Sequence, residues 1–341
     1  MSSPRFKVLI TDFIQDDLAP EIAALGDIAD VHACSALTEQ ELLAEPRRGL
    51  LEQADAVMAY HFLEIGAEAL KLLKRCRLIV RCGVGFDNVD TATAAELGIP
   101  VANVPDYGTE EVADSAIGLM LAMLRGITRL DTRLKAELGT WHYREAAPLH
   151  RVRGQVCGII GCGQIGGAFA LRAKALGMQV KFYDPYAPDG RDKCLGIERC
   201  ESLDELLEQS TVVSLHCLLS DETREMINAD SLARMPRGSY LVNTARGGVV
   251  ESSAVLAALE SGQLAGAALD VLPHEPPHPE DRLIAAWRDP NSPAYDRLII
   301  NPHAAFYSEE GLMDMRTKGS ANIRRALTGG RIRNIVNGLE P

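Results

Sequence analysis

Gly161-Cys162-Gly163-Gln164-Ile165-Gly166 follows directly on an apolar run of strand length, 156–160, and opens a run with helical apolar spacing. Three glycines so spaced between a strand and a helix suit a bound pyrophosphate. Gly161 allows a tight turn, Gly163 lets a phosphate approach the backbone, and Gly166 lets helix and strand pack closely. The N–H groups at the helix start, near Gln164 and Ile165, offer hydrogen bonds and positive potential to phosphate. A second strand, 179–183, ends at Asp184, 18 residues past Gly166, where a carboxylate can accept the hydroxyls of an adenosine ribose. Its charge would repel a 2′-phosphate and no arginine follows directly, so the expected dinucleotide is NAD rather than NADP. The alternative is an ordinary glycine-rich turn in a parallel sheet, against which the combined strand, helix and acid weigh.

Charged residues follow three later strand-like runs. These are Asn243-Thr244-Ala245-Arg246-Gly247-Gly248, Asp270-Val271-Leu272-Pro273-His274-Glu275 and Asn301-Pro302-His303-Ala304-Ala305-Phe306. In a doubly wound sheet, ligands bind beyond the carboxyl ends of the strands. An arginine, a carboxylate and a histidine are therefore expected to converge on the nicotinamide end of the dinucleotide. Taken singly, His303 reads equally as a core histidine, Glu275 as a solvated loop acid and Arg246 as a phosphate contact.

The elements that must carry these residues alternate along the chain. Strands are expected at 7–11, 56–60 and 78–81. Helices are expected from the capping box Thr38-Glu39-Gln40-Glu41 towards Gln53, at 67–73 and at 92–97. Arg81-Cys82-Gly83-Val84-Gly85-Phe86 is a second glycine-rich loop after a strand, without a complete nucleotide fingerprint. Alternating β and α segments imply parallel sheets. A long helix is expected over 109–134, apolar on nearly every face at 116–124, and so buried between domains or against a partner subunit. We expect it to link the domains and to build a homodimer interface. Beyond Asp184, strands are expected at 212–216, 240–243, 267–271 and 298–301, and helices at 203–207, 252–259 and 309–327. The proline-rich stretch 273–297 reads as loop. The expected fold is α/β: two Rossmann-like doubly wound parallel-sheet domains, with a cofactor domain, 105–308, inserted in a substrate domain, 1–104 plus 309–341.

Acidic residues outnumber basic ones 47 to 35, giving a net charge of −12. That argues against a nucleic-acid or anionic-membrane surface, while leaving room for a local basic pocket that takes a small acid. The eight cysteines form no CxxC pair, the start MSSPRFKVLI lacks the apolar core of a signal peptide, and 116–124 is too short to span a bilayer. A reducing cytoplasm is the expected location.

Together the motifs resemble those of the NAD-dependent D-isomer-specific 2-hydroxyacid dehydrogenases. The resemblance runs essentially end to end and includes GCGQIG (161–166), NTARGG (243–248), ALDV…EP (268–276) and NPHAA (301–305). Within that family the chain resembles the C-terminal-binding protein branch through RCGVGFDNVD (81–90), ALRAKALG…FYDPY (170–186) and HAAFYSEE (303–310). The resemblance implies hydride transfer between NAD(H) and a small 2-oxo or 2-hydroxy acid. His303 would be the acid/base, Glu275 its partner and Arg246 the substrate clamp. Each role suits its side chain: imidazole exchanges protons near neutrality, a carboxylate steadies an imidazolium, and guanidinium offers a planar fork of donors. The backbone N–H groups of Val84 and Gly85 would hold the substrate carboxylate from the other domain, with the cleft between domains closing for catalysis. Asp270 would orient the nicotinamide amide, while Cys217, Thr223, Thr244 and Ala245, with Arg246 and His303, would line the cofactor. His61, Arg81 and Phe306 match positions near the ligand, with a structural role equally open for His61 and Arg81.

His274-Glu275-Pro276-Pro277-His278 satisfies the HExxH pattern, but two prolines between the histidines forbid the helix that zinc ligation needs, so no metal is expected. The chain also departs from the C-terminal-binding protein pattern. Phe306 stands where a tryptophan is usual, Val84 replaces a serine, the loop after Glu275 is longer, and a long tail of the animal co-repressor kind is not expected. Glu275 argues against formate oxidation, where the relatives pair histidine with glutamine; a phosphorus-acid substrate stays open. The expected activity is interconversion of a small 2-oxoacid and its D-2-hydroxyacid. The alternative is an NAD(H)-sensing dimeric scaffold or regulator with weak activity.

Overall fold

The computed structural model describes residues 5–14, 17–139 and 141–340; the first four residues of the MSSPRFKVLI segment lie outside the described residues. The chain divides into two compact units, Met1–Gly108 with Tyr307–Pro341, and Thr109–Phe306.

The first unit holds strands β1 (Phe6–Ile10), β2 (Ala29–Ala33), β3 (Ala56–Ala59), β4 (Ile79–Arg81) and β5 (Val101–Asn103) in a parallel sheet of order β2-β1-β3-β4-β5. Every position of β3 is buried, as expected for a parallel strand covered on both faces. The helix Glu309–Thr328 returns to this sheet. Ser308 starts it by accepting the Gly311 N–H, and Gly329, at φ 76°, stops it. Gly319 allows its close approach, since a Cβ there would lie 2.9 Å from the Cys82 Sγ. Arg316 on the same helix is buried and donates to both carboxylate oxygens of Glu21 at 2.7 Å.

The second unit holds β6 (Val156–Ile160), β7 (Gln179–Tyr183), β8 (Glu198–Arg199), β9 (Val212–Leu215), β10 (Ser239–Asn243), β11 (Leu264–Leu269) and β12 (Leu298–Ile300). Its parallel sheet has the order β12-β11-β10-β9-β6-β7-β8. The chain runs outward from β6 to β8 on one side and from β9 to β12 on the other. The order therefore reverses between β6 and β9, which is where open α/β sheets form a ligand crevice. The expected α/β class with two parallel sheets is the observed one.

Several expected elements differ in detail. The single helix over 109–134 is two, Thr109–Leu124 and Ile127–Ala136, because Gly126 at φ 60° breaks the ladder. Its first part is not buried on every face: Val112, Ala113, Ala116, Leu119, Met120, Met123 and Leu124 form one buried stripe, and Gly118 is exposed. The helix from 39 to 53 is interrupted as Glu39–Leu43 and Arg47–Glu52, since Pro46 lacks the N–H a continuous helix requires. Thr38 accepts the Glu41 N–H as a cap should, but the Glu41 carboxylate accepts from Leu37 instead of closing the box. The 273–297 stretch contains the helix Arg282–Arg288, started by Asp281, which accepts from Leu283 and Ile284.

His216, just past β9, packs its ring 4.9 Å from Phe169, and its Cβ lies beneath Gly166 of the glycine turn. Its Nε2 bonds the Ser214 hydroxyl at 2.9 Å, and its Nδ1 is enclosed without a hydrogen-bond partner. Burial pushes this imidazole from its ordinary 6.5 down to about 3, so it is neutral in the folded chain. Between those values the unfolded chain binds the proton that the folded ring refuses, and stability falls as pH drops through the window. At pH 5 this amounts to about 2 kcal/mol. Urea unfolding of His216→Gln across pH 5 to 7 should show a shallower acid loss than wild type; parallel curves would remove His216 as the cause.

Candidate active site

The glycine turn is built by three different constraints. Gly161 sits at φ 86°, and a Cβ on it would lie 2.7 Å from the Cys217 backbone nitrogen. A Cβ on Gly166 would fall 2.1 Å from the Gly161 carbonyl oxygen, so the helix Gln164–Ala175 can meet β6 only through glycine. Gly163 differs: a Cβ there would meet nothing within 4 Å. Its bare backbone faces open space of the kind a pyrophosphate needs to reach the turn. Asp184 accepts the Cys162 N–H at 2.8 Å and the Tyr186 N–H at 2.9 Å, while Arg191 donates to the carbonyls of Cys162 and Gly163. An acid and a guanidinium thus brace the turn from two sides. Arg191 was not singled out in the sequence, and its separation of 25 residues from Gly166 carries no motif.

The other cofactor candidates have distinct surroundings. The Thr244 hydroxyl is buried without a hydrogen-bond partner, a costly condition that a polar ligand atom would relieve. Ala245 is buried, its N–H donating to Asn243 Oδ1 at 3.0 Å. Cys217 is half-buried against Gly161, and burial pushes its thiol up to about 11. Thr223 is engaged in its own loop, donating to the Leu218 carbonyl at 2.6 Å and accepting the Ser220 N–H. Thr109 bonds Gln164 at 3.4 Å across the start of the glycine helix. The open backbone, the orphaned hydroxyl and the acid at the end of β7 together fit NAD.

Past β10, the Asn243 side chain donates to the Arg246 carbonyl at 2.9 Å and so closes the turn that presents Arg246. The Arg246 guanidinium donates to the Ala245 carbonyl at 2.8 Å. Gly247 touches the next loop so closely that a Cβ would lie 1.9 Å from the Leu272 carbonyl carbon. That glycine joins the Arg246 loop to the segment carrying Asp270 and Glu275.

His303 is the conformational outlier of the site, with φ at 53°. Non-glycine residues rarely adopt this left-handed region, histidine more often than most. Asp270 holds the backbone there. Its carbonyl accepts the His303 N–H at 2.8 Å, and its carboxylate accepts the Ala304 N–H at 2.9 Å and the Ala305 N–H at 3.0 Å. Asp270 is only 1% exposed, and burial pushes its carboxyl above the usual range against the pull of these N–H groups and of His303. Glu275 fixes the side chain: one oxygen accepts the Leu272 N–H at 2.8 Å and the other lies 2.6 Å from His303 Nδ1. The Phe306 and His303 rings stand nearly perpendicular, their centroids 6.2 Å apart. The HExxH-like segment is not helical, and its Glu275 faces His303.

In the first unit, the remaining candidates lie at the carboxyl ends of β3 and β4. Arg81 is buried, donates to Asn88 Oδ1 at 3.2 Å, and lies across Gly83, where a Cβ would be 1.5 Å from its Nη1. The Val84 carbonyl accepts from Asn103 at 2.7 Å, which sets the loop that carries Val84 and Gly85. His61 packs between Phe13 and Phe62, at 4.8 and 4.4 Å. Asp12, Phe13 and Asn88 were missed in the sequence. The strand-end rule applied to β10, β11 and β12 would have pointed to Asp12 after β1.

The family model described as D-isomer specific 2-hydroxyacid dehydrogenase, NAD binding domain, matches residues 117–305. C-terminal-binding protein 1 of Caenorhabditis elegans is 38% identical over 92% of this chain, and D-3-phosphoglycerate dehydrogenase of Methanocaldococcus jannaschii is 32% identical over 97%. The chain spans 42% and 59% of the lengths of those two relatives. The D-lactate dehydrogenase of Aquifex aeolicus, solved with NAD and lactic acid, superposes with a TM-score of 0.81 at 29% identity, covering 94% of this chain and 96% of that one. With the glycine turn, its bracing acid and the strand-end residues in place, the chain belongs to the D-isomer-specific 2-hydroxyacid dehydrogenase family and carries that family's NAD-binding domain.

Proposed function

We propose that the protein interconverts a small 2-oxoacid and its D-2-hydroxyacid with NAD, His303 serving as acid and base. The observation that carries this reading is the His303–Glu275 pair, held on a backbone that Asp270 clamps at the carboxyl end of the sheet. NADH, where bound, would supply the hydride to the carbon beside the carboxylate, and NAD+ would accept it in the opposite direction. As the substrate carbonyl gains negative charge, His303 Nε2 delivers a proton to its oxygen; in the opposite direction it removes the hydroxyl proton. Glu275, on Nδ1, fixes the ring plane and stabilises the imidazolium. Arg246 offers its donor fork to the substrate carboxylate and carbonyl oxygen. The Val84 and Gly85 N–H groups offer hydrogen bonds to a carboxylate, with Arg81 behind their loop. Asp270 has two tasks in this reading, the nicotinamide amide and the placement of His303.

The same proposal takes the protein as a homodimer through the 109–134 region. Support comes from Ile127 in that region and Leu138, Trp141 and Tyr143 just beyond it, all exposed apolar side chains. It also takes the location as cytoplasmic. The eight cysteines are unpaired among the described residues, and no described helix is long and apolar enough to cross a membrane. The 38% identity to C-terminal-binding protein 1 favours a second reading, an NAD(H)-sensing scaffold with feeble turnover. NADH consumption with glyoxylate, hydroxypyruvate, pyruvate and phenylpyruvate separates the two.

His303→Ala should lower kcat by ~10²–10⁴-fold while NADH still binds, as followed by its fluorescence; unchanged turnover would refute the acid/base role. Asp270→Ala should release the 303–305 backbone and lower kcat by roughly 10²-fold. Asp270→Asn, whose amide oxygen still accepts, should lose less. Equal losses in the two variants would show that hydrogen-bond acceptance at this position does not set the rate.

A further inference from the structure

The carboxyl edge of the first unit's sheet carries an aromatic wall that the proton-transfer machinery does not use. Phe13 follows β1, and Tyr60, His61 and Phe62 follow β3, which are adjacent strands. The Phe13 ring stacks on Tyr60 at 5.4 Å and meets His61 at 4.8 Å and Phe62 at 5.4 Å. Tyr60 is fully buried and anchors the group, whereas Phe62 is 52% exposed and Phe13 and His61 are half-buried. The rings therefore extend the core outward past the sheet instead of closing it.

The wall is built, not incidental. Phe13 sits at φ 67°, a left-handed conformation that bulky side chains avoid and that persists where surrounding bonds impose it. Asp12 imposes it. Its carbonyl accepts the Ile14 N–H at 2.8 Å, and its fully buried carboxylate accepts the N–H groups of Tyr60 and Phe62, both at 2.8 Å, and the Thr11 hydroxyl at 2.7 Å. Asn88 then ties this loop to the next strand end. Its amide donates to the carbonyls of Tyr60 and Leu63 at 2.8 and 2.7 Å, and its oxygen accepts from Arg81 at 3.2 Å. One hydrogen-bonded chain thus fixes the aromatic rings beside the loop that carries Val84 and Gly85.

We infer that Phe13, His61 and Phe62 form the subsite for the substrate's side chain, and that the substrate is a 2-oxoacid with an aromatic side chain, phenylpyruvate being the probe. This rests on the reading of the protein as a 2-oxoacid reductase and narrows it. A flat ring laid against tilted aromatic faces gains edge-to-face contact and apolar burial that a methyl group cannot. Glyoxylate, with no side chain, would leave the wall unused.

The test compares kcat/KM for phenylpyruvate and pyruvate, with NADH, in wild type, Phe62→Ala and Phe13→Ala. Wild type should favour phenylpyruvate by ~10²-fold, and Phe62→Ala should cut that preference by about tenfold. A wild type that reduces pyruvate as well as phenylpyruvate overturns the inference, as does a preference intact in both variants. Turnover of none of the acids would instead sink the reductase reading. The wall is then judged by calorimetric titration of phenylpyruvate into the NAD-loaded protein: binding weakened about tenfold by Phe62→Ala supports it, and equal or absent binding in the two proteins overturns it.

Discussion

A single buried carboxylate sets the geometry around the His303–Glu275 pair. Asp270 binds the backbone on both sides of His303, accepting from residues 303, 304 and 305, and so holds a residue without glycine's freedom in the left-handed region. That conformation costs roughly 1–2 kcal/mol for an L-residue. It survives because the N–H groups of a chain segment at a sheet edge need acceptors, and an enclosed carboxylate is a strong one. The unusual φ is what aims the imidazole at Glu275 from a separate loop. Without it, the strand end at Ile300 would deliver the same residue to a different place.

The same logic recurs at the other strand ends. Asn243 closes the Arg246 turn, Asp184 and Arg191 brace the glycine turn, and Asp12 and Asn88 organise the loops after β1, β3 and β4. In each case a polar side chain satisfies backbone groups that the sheet has ceased to pair. The parallel sheets supply the strand ends, and these side chains convert the ends into shaped loops. The site is therefore specified twice, once by topology and once by side-chain acceptors and donors at the loop roots.

Features of the second kind are legible in the sequence only where the residue type is itself chemical. The glycine turn was legible because its three glycines have separate physical causes, and strand, helix and acid surround them. Arg246, Glu275 and His303 were legible because they follow apolar runs in a pattern that implies parallel strands. The left-handed backbone of His303 and of Phe13 was not, since φ is set by distant acceptors and not by residue identity. The helix breaks at Pro46 and Gly126 were present as letters, but apolar spacing on either side outweighed them. Short strands such as Ala29–Ala33 and Glu198–Arg199 lie at sheet edges, where few buried positions leave little periodicity to read.

In the proposed reaction His303 Nε2 faces the reacting oxygen while Nδ1 stays on Glu275. A crystal structure of the protein with NAD and oxamate, an unreactive mimic of a 2-oxoacid, tests it directly. Nε2 is expected within about 3 Å of the oxamate carbonyl oxygen, with the Glu275 contact kept. An oxamate oxygen turned towards some other proton donor, or an imidazole swung away from the ligand, would contradict it.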